Sequence, residues 1–290
     1  MTEVNGLRRS AIIRGAVLPC SLLLVLGISS CRLVLGISAE QDDDGGTSDS
    51  GGSGDSRGDD AGHDDGGTCA PPFGLDAFER NGTGGLGLAD EGGLWTVTEP
   101  SVMSVSNGAA RAALTAGRGS IALLPDARRD VDLSVTLTTD KASNSTTDGI
   151  YGYLYARSSP SASYFLSVAI QGTNQAALVI TRRITNAQVP ETNLKTLSPV
   201  FGIEYVAGMQ LRLRFLVEGT SPTRLRGKIW RVDEEKEPTA WLVEAMDTEP
   251  LLQTSGLLGF KGYLSLKASV SPLTMTFDDF IAREPNSCVP

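Results

Sequence analysis

From Cys69 to Pro290 a period-two alternation of apolar and polar residues dominates, and this period constrains the fold more than any other feature of the chain. Val131, Leu133, Val135 and Leu137 alternate with Asp132, Ser134, Thr136 and Thr138. Met209, Leu211, Leu213, Phe215 and Val217 alternate with Gln210, Arg212, Arg214 and Glu218, and only Leu216 is out of phase. Leu273, Met275 and Phe277 alternate with Thr274, Thr276 and Asp278. Successive side chains of a strand point to opposite faces, so the pattern describes strands with one apolar and one polar face. Further strand candidates are 94–97, 109–114, 120–124, 150–157, 164–170, 176–182, 224–232, 241–246 and 257–266. Turn signals separate them: Asn107-Gly108, Gln171-Gly172-Thr173-Asn174 and Glu218-Gly219-Thr220-Ser221-Pro222. No stretch carries a convincing helical stripe. About a dozen short alternating strands predict an all-β chain folded as an antiparallel two-sheet sandwich, and residues 69–290 are the right length for one such domain.

The residues before this domain read differently. Between Glu40 and Gly67 there are ten acids and one base, Arg57, so this stretch carries the whole formal charge of −9 and the remainder sums to zero. Residues 32–68 are read as an acidic Gly/Ser/Asp tether, because a segment with little to bury cannot offset the entropy of ordering it. The acidity therefore belongs to a spacer, and a nucleic-acid partner is disfavoured because phosphate binding needs a basic stripe. The only histidine, His63, lies in the same tether, so the β domain has neither a histidine triad nor a multi-histidine metal site.

Residues 1–31 read as an export signal. Arg8, Arg9 and Arg14 precede an apolar run over 16–28 that is too short for a comfortable membrane span of about 20 residues. The run ends in Gly27-Ile28-Ser29-Ser30-Cys31, which resembles a bacterial lipobox, with Cys31 as the residue to be acylated. Arg32 in the next position, by resemblance to Gram-negative lipoproteins, favours the outer membrane. Lipid chains would hold the protein to the membrane surface. Ordinary cleavage after Ala39, giving a secreted chain, is the alternative. Cys69 and Cys288 bracket the β domain, and in an exported chain with neighbouring domain termini they are expected to form a disulfide.

Several segments of the β domain carry a family likeness. Tyr205-Val206-Ala207-Gly208-Met209-Gln210-Leu211-Arg212-Leu213-Arg214 is followed by Arg224-Leu225-Arg226-Gly227-Lys228-Ile229-Trp230, then Gly256-Leu257-Leu258-Gly259 and a final strand containing Phe277-Asp278-Asp279-Phe280. The domain opens with Asp76-Ala77-Phe78-Glu79-Arg80. Together these resemble the concanavalin A-like (laminin G-like) jelly-roll modules of large bacterial secreted proteins. The resemblance implies a jelly-roll sandwich in an extracellular setting. It implies no single activity, because this fold serves lectins, glycan-binding modules, adhesins and glycosidases alike.

Candidate chemistry is sparse. Glycosidases of this fold carry Glu-x-Asp-x-x-Glu on one strand, and that spacing is absent here, so no catalytic residue is assigned and a non-catalytic role is expected. Sugar binding needs flat aromatic faces beside polar groups. Trp230 follows Arg224, Arg226 and Lys228 in strand phase, where it would either stack on a sugar or lie under arginine stems. Tyr151, Tyr153 and Tyr155 share one strand face, as core filler or as a glycan platform. Trp95 and Trp241 fit packing roles, and Glu234, Glu235 and Glu237 a solvated turn. Asp76 and Asp278 lie near the two ends of the domain, and by the resemblance they are candidate ligands of a structural calcium, the only cofactor suggested. The expected partner is a polysaccharide or surface glycan, with a surface protein as the alternative.

Overall fold

The alternation over residues 131–139 and 211–218 is realised as two adjacent strands whose apolar residues, Val131, Leu133, Val135, Leu137, Leu211, Leu213, Phe215 and Val217, are all buried on one side. The computed structural model describes residues 70–287 except Thr173, Glu234 and Glu235. In chain order the strands are β1 (Gly74–Asp76), β2 (Gly82–Thr83), β3 (Thr96–Val97), β4 (Met103–Ser106), β5 (Ala109–Leu114), β6 (Gly119–Arg128), β7 (Val131–Thr139) and β8 (Gly149–Ser158). They continue as β9 (Ala162–Gln171), β10 (Gln175–Ile184), β11 (Glu191–Leu197), β12 (Leu211–Glu218), β13 (Thr223–Arg231), β14 (Val243–Asp247), β15 (Gly256–Leu264) and β16 (Leu273–Arg283). One short 3-10 turn, Pro250–Leu252, is the only helical element among the described residues.

Two antiparallel sheets result. The nine-stranded sheet runs β14-β13-β12-β7-β16-β5-β4-β2, with β1 on the second half of β16. The seven-stranded sheet runs β11-β10-β9-β8-β15-β6-β3. The expected all-β jelly-roll sandwich is the fold observed. More strands form than the sequence predicts, because β1, β2, β4 and β11 gave no signal and β3 is reduced to two residues. The first three are short and take their hydrogen bonds from longer neighbours, and β11 is a polar edge strand.

The core lies between the sheets. Leu133, Val135, Leu211, Leu213, Phe215 and Phe277 of one sheet face Leu154, Leu166, Val168, Leu178, Ile180 and Phe260 of the other, all at most 1 % exposed. Each such side chain contributes about 1.5–3 kcal/mol relative to leaving it in water. Trp95 belongs here too, stacked on Phe78 and edge-on to Phe260 and Phe280. At one end of the sandwich Arg157, only 2 % exposed, ties four segments together. Its guanidinium donates to the carbonyls of Arg129, Leu252 and Gly219 and to the Thr223 hydroxyl, each at 2.7 Å, and to Asp130 at 3.3 Å. A buried arginine is tolerated where its fork of donors is filled in this way.

Candidate functional site

Strand β8 reads Tyr151-Gly152-Tyr153-Leu154-Tyr155, and its alternation decides the site. Ile150, Gly152 and Leu154 turn to the core, so the three tyrosines stand on the outer face of the seven-stranded sheet. Strand β8 is central, paired with β9 and β15, so the tyrosines rise from the middle of that face. Their rings follow one another at 6.2 Å and 6.1 Å. Tyr263 joins from β15, 5.9 Å from Tyr151, and Phe165 from β9, 5.4 Å from Tyr153 and 5.3 Å from Tyr155. Gln171 donates to the Tyr151 hydroxyl at 2.6 Å and fixes that ring.

Beside the ridge the residues are small. Ser167 and Ala169 of β9 and Ala177, Val179 and Thr181 of β10 line a hollow of about 320 Å³ between Tyr151 and Tyr153 on one side and Glu191, Asn193 and Thr196 of β11 on the other. A second hollow of about 310 Å³ lies on the same face, against Tyr155, Ser163, Arg183 and Leu257. Tyr151 and Tyr153 are half-buried, with ring surface left for a ligand. Tyr155 is 3 % exposed and meets solvent only at the wall of the second hollow. Burial in this cluster raises the phenols of Tyr153 and Tyr155 well above the ordinary tyrosine range, so both stay protonated donors.

The electrostatics of the face are uneven. Lys261, opposite Tyr153 on β15, holds its ammonium 5.1 Å from the Tyr153 ring centre and 5.2 Å from that of Tyr263. Burial and then the nearby Arg183 lower its pKa, and Glu191 offsets this in part. Arg183, on β10, pairs in register with Ser163 and Glu191. Neither cation forms an ion pair with a described residue, while Arg183 hydrogen-bonds the Tyr155 phenol and has Glu191 opposite it in register. Glu191 is the only carboxylate lining either hollow.

Trp230 lies elsewhere. It stands opposite Arg212 on the outer face of the nine-stranded sheet, on the other side of the sandwich from the tyrosines. There a hollow of about 440 Å³ is lined by Asp132, Arg212, Arg214, Arg226, Glu237 and both Trp230 and Trp241, among others. The polar phase of Trp230 is as read, but the residue is only 6 % exposed, so the burial reading and not the exposed stacking face is realised. Three cations of this face are paired with carboxylates within the fold. Arg214 pairs with Asp132 and Glu237, Lys228 with Glu237 at 2.7 Å, and Arg226 with Glu218 at 2.7 Å. Arg214, Arg226 and Lys228 also cover the Trp241 ring at 5.5, 5.0 and 4.6 Å. Glu237 is exposed between strands, in keeping with its reading as a turn residue, and is also an ion-pair partner, and its pKa falls below the usual carboxylate range because Lys228 and Arg214 outweigh the cost of burial. Leu216, the one residue out of phase in its strand, lines this hollow.

The calcium reading of Asp76 meets a carboxylate already engaged within the fold. Strands β1 and β16 are neighbours, as that reading requires. Asp76, however, is fully buried and accepts four hydrogen bonds: two from the Arg80 guanidinium at 2.7 Å, one from Trp95 Nε1 at 2.7 Å and one from the Phe78 amide at 2.8 Å. Those bonds occupy the carboxylate's lone pairs. Asp278 accepts from the Asp279 amide at 2.7 Å, and its pKa is raised by burial and by the charges of Asp279 and Glu79. No group of three or more His, Cys, Asp or Glu that could hold a metal occurs among the described residues. Cys31, Cys69 and Cys288 lie outside the described residues.

Sequence reasoning missed Lys261, Arg183, Glu191, Phe165 and Tyr263. Lys261 and Tyr263 carried a usable signal, since they keep the phase of β15 opposite Tyr153 and Tyr151. Arg183 and Glu191 meet only through the pairing of β10 with the unrecognised β11.

No family model matches the chain, and no curated protein matches it. Solved structures do. The alginate lyase Aly36B is 9 % identical and aligns over 74 % of this chain and 98 % of its own, with a TM-score of 0.50. A xylan beta-1,4-xylosidase from Bacillus halodurans C-125 is 16 % identical over 74 % of this chain, with a TM-score of 0.50, but only 40 % of that protein is covered. The carbohydrate binding module CBM66 from Bacillus subtilis is 15 % identical over 70 % of this chain and 97 % of its own, with a TM-score of 0.44. At these identities the likeness is one of fold: the chain is an antiparallel β-sandwich of the jelly-roll kind.

Proposed function

We propose that this chain is a non-catalytic, lipid-anchored surface protein whose β-sandwich binds carbohydrate through the tyrosine face of the seven-stranded sheet. The observation that carries the reading is the ridge of Tyr151 and Tyr153 beside a hollow floored by Ser167, Ala169, Val179 and Thr181. Aromatic faces cover the apolar faces of sugar rings, and hydroxyl and amide groups at the wall hold their oxygens. Tyr151, Gln171, Thr181 and Asn193 supply such groups here. A lone carboxylate, Glu191, does not provide the pair that glycoside hydrolysis requires, which favours binding over turnover. Similarity of fold to a carbohydrate binding module and to carbohydrate-active enzymes is in keeping with this reading. The anchor rests on Cys31 after its apolar run, with residues 32–68 as the spacer.

The test is retention of the purified protein on a panel of neutral and acidic polysaccharides. Tyr153→Ala is expected to weaken binding about fivefold or more, since an aromatic stacking contact contributes on the order of 1 kcal/mol or more. Trp230→Phe, on the opposite face, is expected to leave it unchanged. Loss in the Trp230 variant with retention in the Tyr153 variant would move the site to the other sheet. Retention of no polymer would leave a protein-contacting surface module as the better reading. A lipidated Cys31 at the mature N-terminus, read by mass spectrometry, tests the anchor.

A further inference from the structure

We infer that the glycan taken by the tyrosine face is acidic, a polymer whose sugars carry carboxylates, and that Lys261 and Arg183 hold those carboxylates. The inference rests on the carbohydrate-binding reading above and adds the charge of the ligand.

Three observations on the same face converge. Lys261 is half-buried among tyrosines, and its Nζ lies over two rings, 5.1 and 5.2 Å from their centres, without a hydrogen bond or ion pair to any described residue. An ammonium has three donors, and leaving them without acceptors in a partly desolvated position is unfavourable until an anion arrives. Arg183 is the second half-buried cation of the face, close enough to raise the cost of charging Lys261, and it lines the hollow beside Tyr155. Two cations of like sign sharing a face with one exposed carboxylate, Glu191, leave it with a net positive charge.

The opposite face shows what this protein does with arginines that are structural. There Arg214, Arg226 and Lys228 each have a carboxylate partner. The tyrosine face lacks that internal neutralisation, so its counter-ion is to be supplied by a ligand. A carboxylate on a sugar lying against Tyr153 meets the Lys261 ammonium, 5.1 Å from the centre of that ring, and the next along the ridge meets Arg183 beyond Tyr155. The guanidinium accepts such a group in a bidentate fork.

The experiment measures binding of the purified protein to polygalacturonate, alginate and hyaluronan, each beside its carboxyl-reduced counterpart, and to neutral xylan. At least one acidic polymer is expected to bind, with a Kd at least tenfold lower than its reduced form. Lys261→Gln should remove that difference while leaving binding of the reduced polymer unchanged, and Tyr153→Ala should weaken both. Arg183→Gln is the second variant and carries the same expectation if Lys261→Gln does not fold. Equal binding of acidic and reduced polymers, or an unchanged Kd for the acidic polymer in both variants, would overturn the charge assignment and leave the face as a neutral-glycan site. Binding to xylan alone has the same meaning. Binding to no polymer in any form would instead remove the carbohydrate reading and this inference with it.

Discussion

Lys261 shows how one residue separates a binding role from a structural one. Its folded-state pKa is lowered, by burial first and by Arg183 second, from the ordinary value of 10.5. Between that lowered pKa and 10.5 the unfolded chain holds a proton that the folded chain has lost, so stability rises with pH through this window. Below the window the cost of holding the charge is fully present. The groups facing the ammonium are Tyr153 and Tyr263 at the ring distances above, with Arg183 and Glu191 further out, and none cancels that cost at neutral pH. Methionine fills a similar volume and makes favourable contacts with aromatic rings. Lys261→Met is therefore expected to melt a few degrees above the parent at neutral pH, with the gap closing as the pH approaches 10.5. A calorimetric scan at several pH values checks it. A variant that melts below the parent at every pH would make Lys261 a structural residue.

At the scale of elements, β8 is where pattern and packing meet. The sequence shows three tyrosines in phase, but the phase alone leaves open whether their face is core or solvent. Gly152 decides it. A Cβ at this position would stand 2.5 Å from Leu137 Cδ2 of the opposite sheet, so the glycine side is the one pressed against the core. Its absence of a side chain lets the two sheets approach beneath the tyrosine ridge. Gly152→Ala is expected to cost about 1–3 kcal/mol through overpacking, seen as a lower urea midpoint at unchanged m. An unchanged midpoint would mean that Leu137 yields freely and the spacing is not set there. Strand β11 was illegible for the opposite reason. Its seven residues are exposed or half-buried throughout, and its two leucines, Leu194 and Leu197, which pack against the core, stand three residues apart and so break the period. The wall of the groove, with Glu191, Asn193 and Thr196, was invisible with it.

For the molecule as a whole, the ends of the domain matter. The Ala70 amide donates to the Ser287 carbonyl at 2.9 Å, and β1 lies against β16. Cys69 precedes the first of these residues and Cys288 follows the second. This adjacency supports the expected disulfide between them. The link would close nearly the whole domain, and the chain-entropy model gives about 5 kcal/mol as the upper figure for a loop of that size. A non-reducing peptide map is expected to contain the Cys69–Cys288 pair, and reduction should lower the melting temperature. Free thiols at both positions in unreduced protein would contradict it. The distribution of charge is also a property of the whole. The −9 of residues 40–67 is remote in sequence from the cations of the tyrosine face, and overall pI says nothing about the ligand.

The sequence by itself determined the sandwich, because period-two alternation is a local property and each strand carries its own record of which side is apolar. It determined equally that the acidity belongs to residues 40–67 and that Tyr151, Tyr153 and Tyr155 share a face. Only the tertiary structure decided which sheet that face belongs to, that Trp230 stands on the other side among paired arginines, and that Asp76 is committed to Arg80 and Trp95. It also decided that Lys261 and Arg183, far apart in the chain, lie on one aromatic face with Glu191 as the one carboxylate near both. The reason is physical. Which residues neutralise a charge or complete a groove depends on strand order across a sheet, and strand order comes from long-range pairing that no local pattern records.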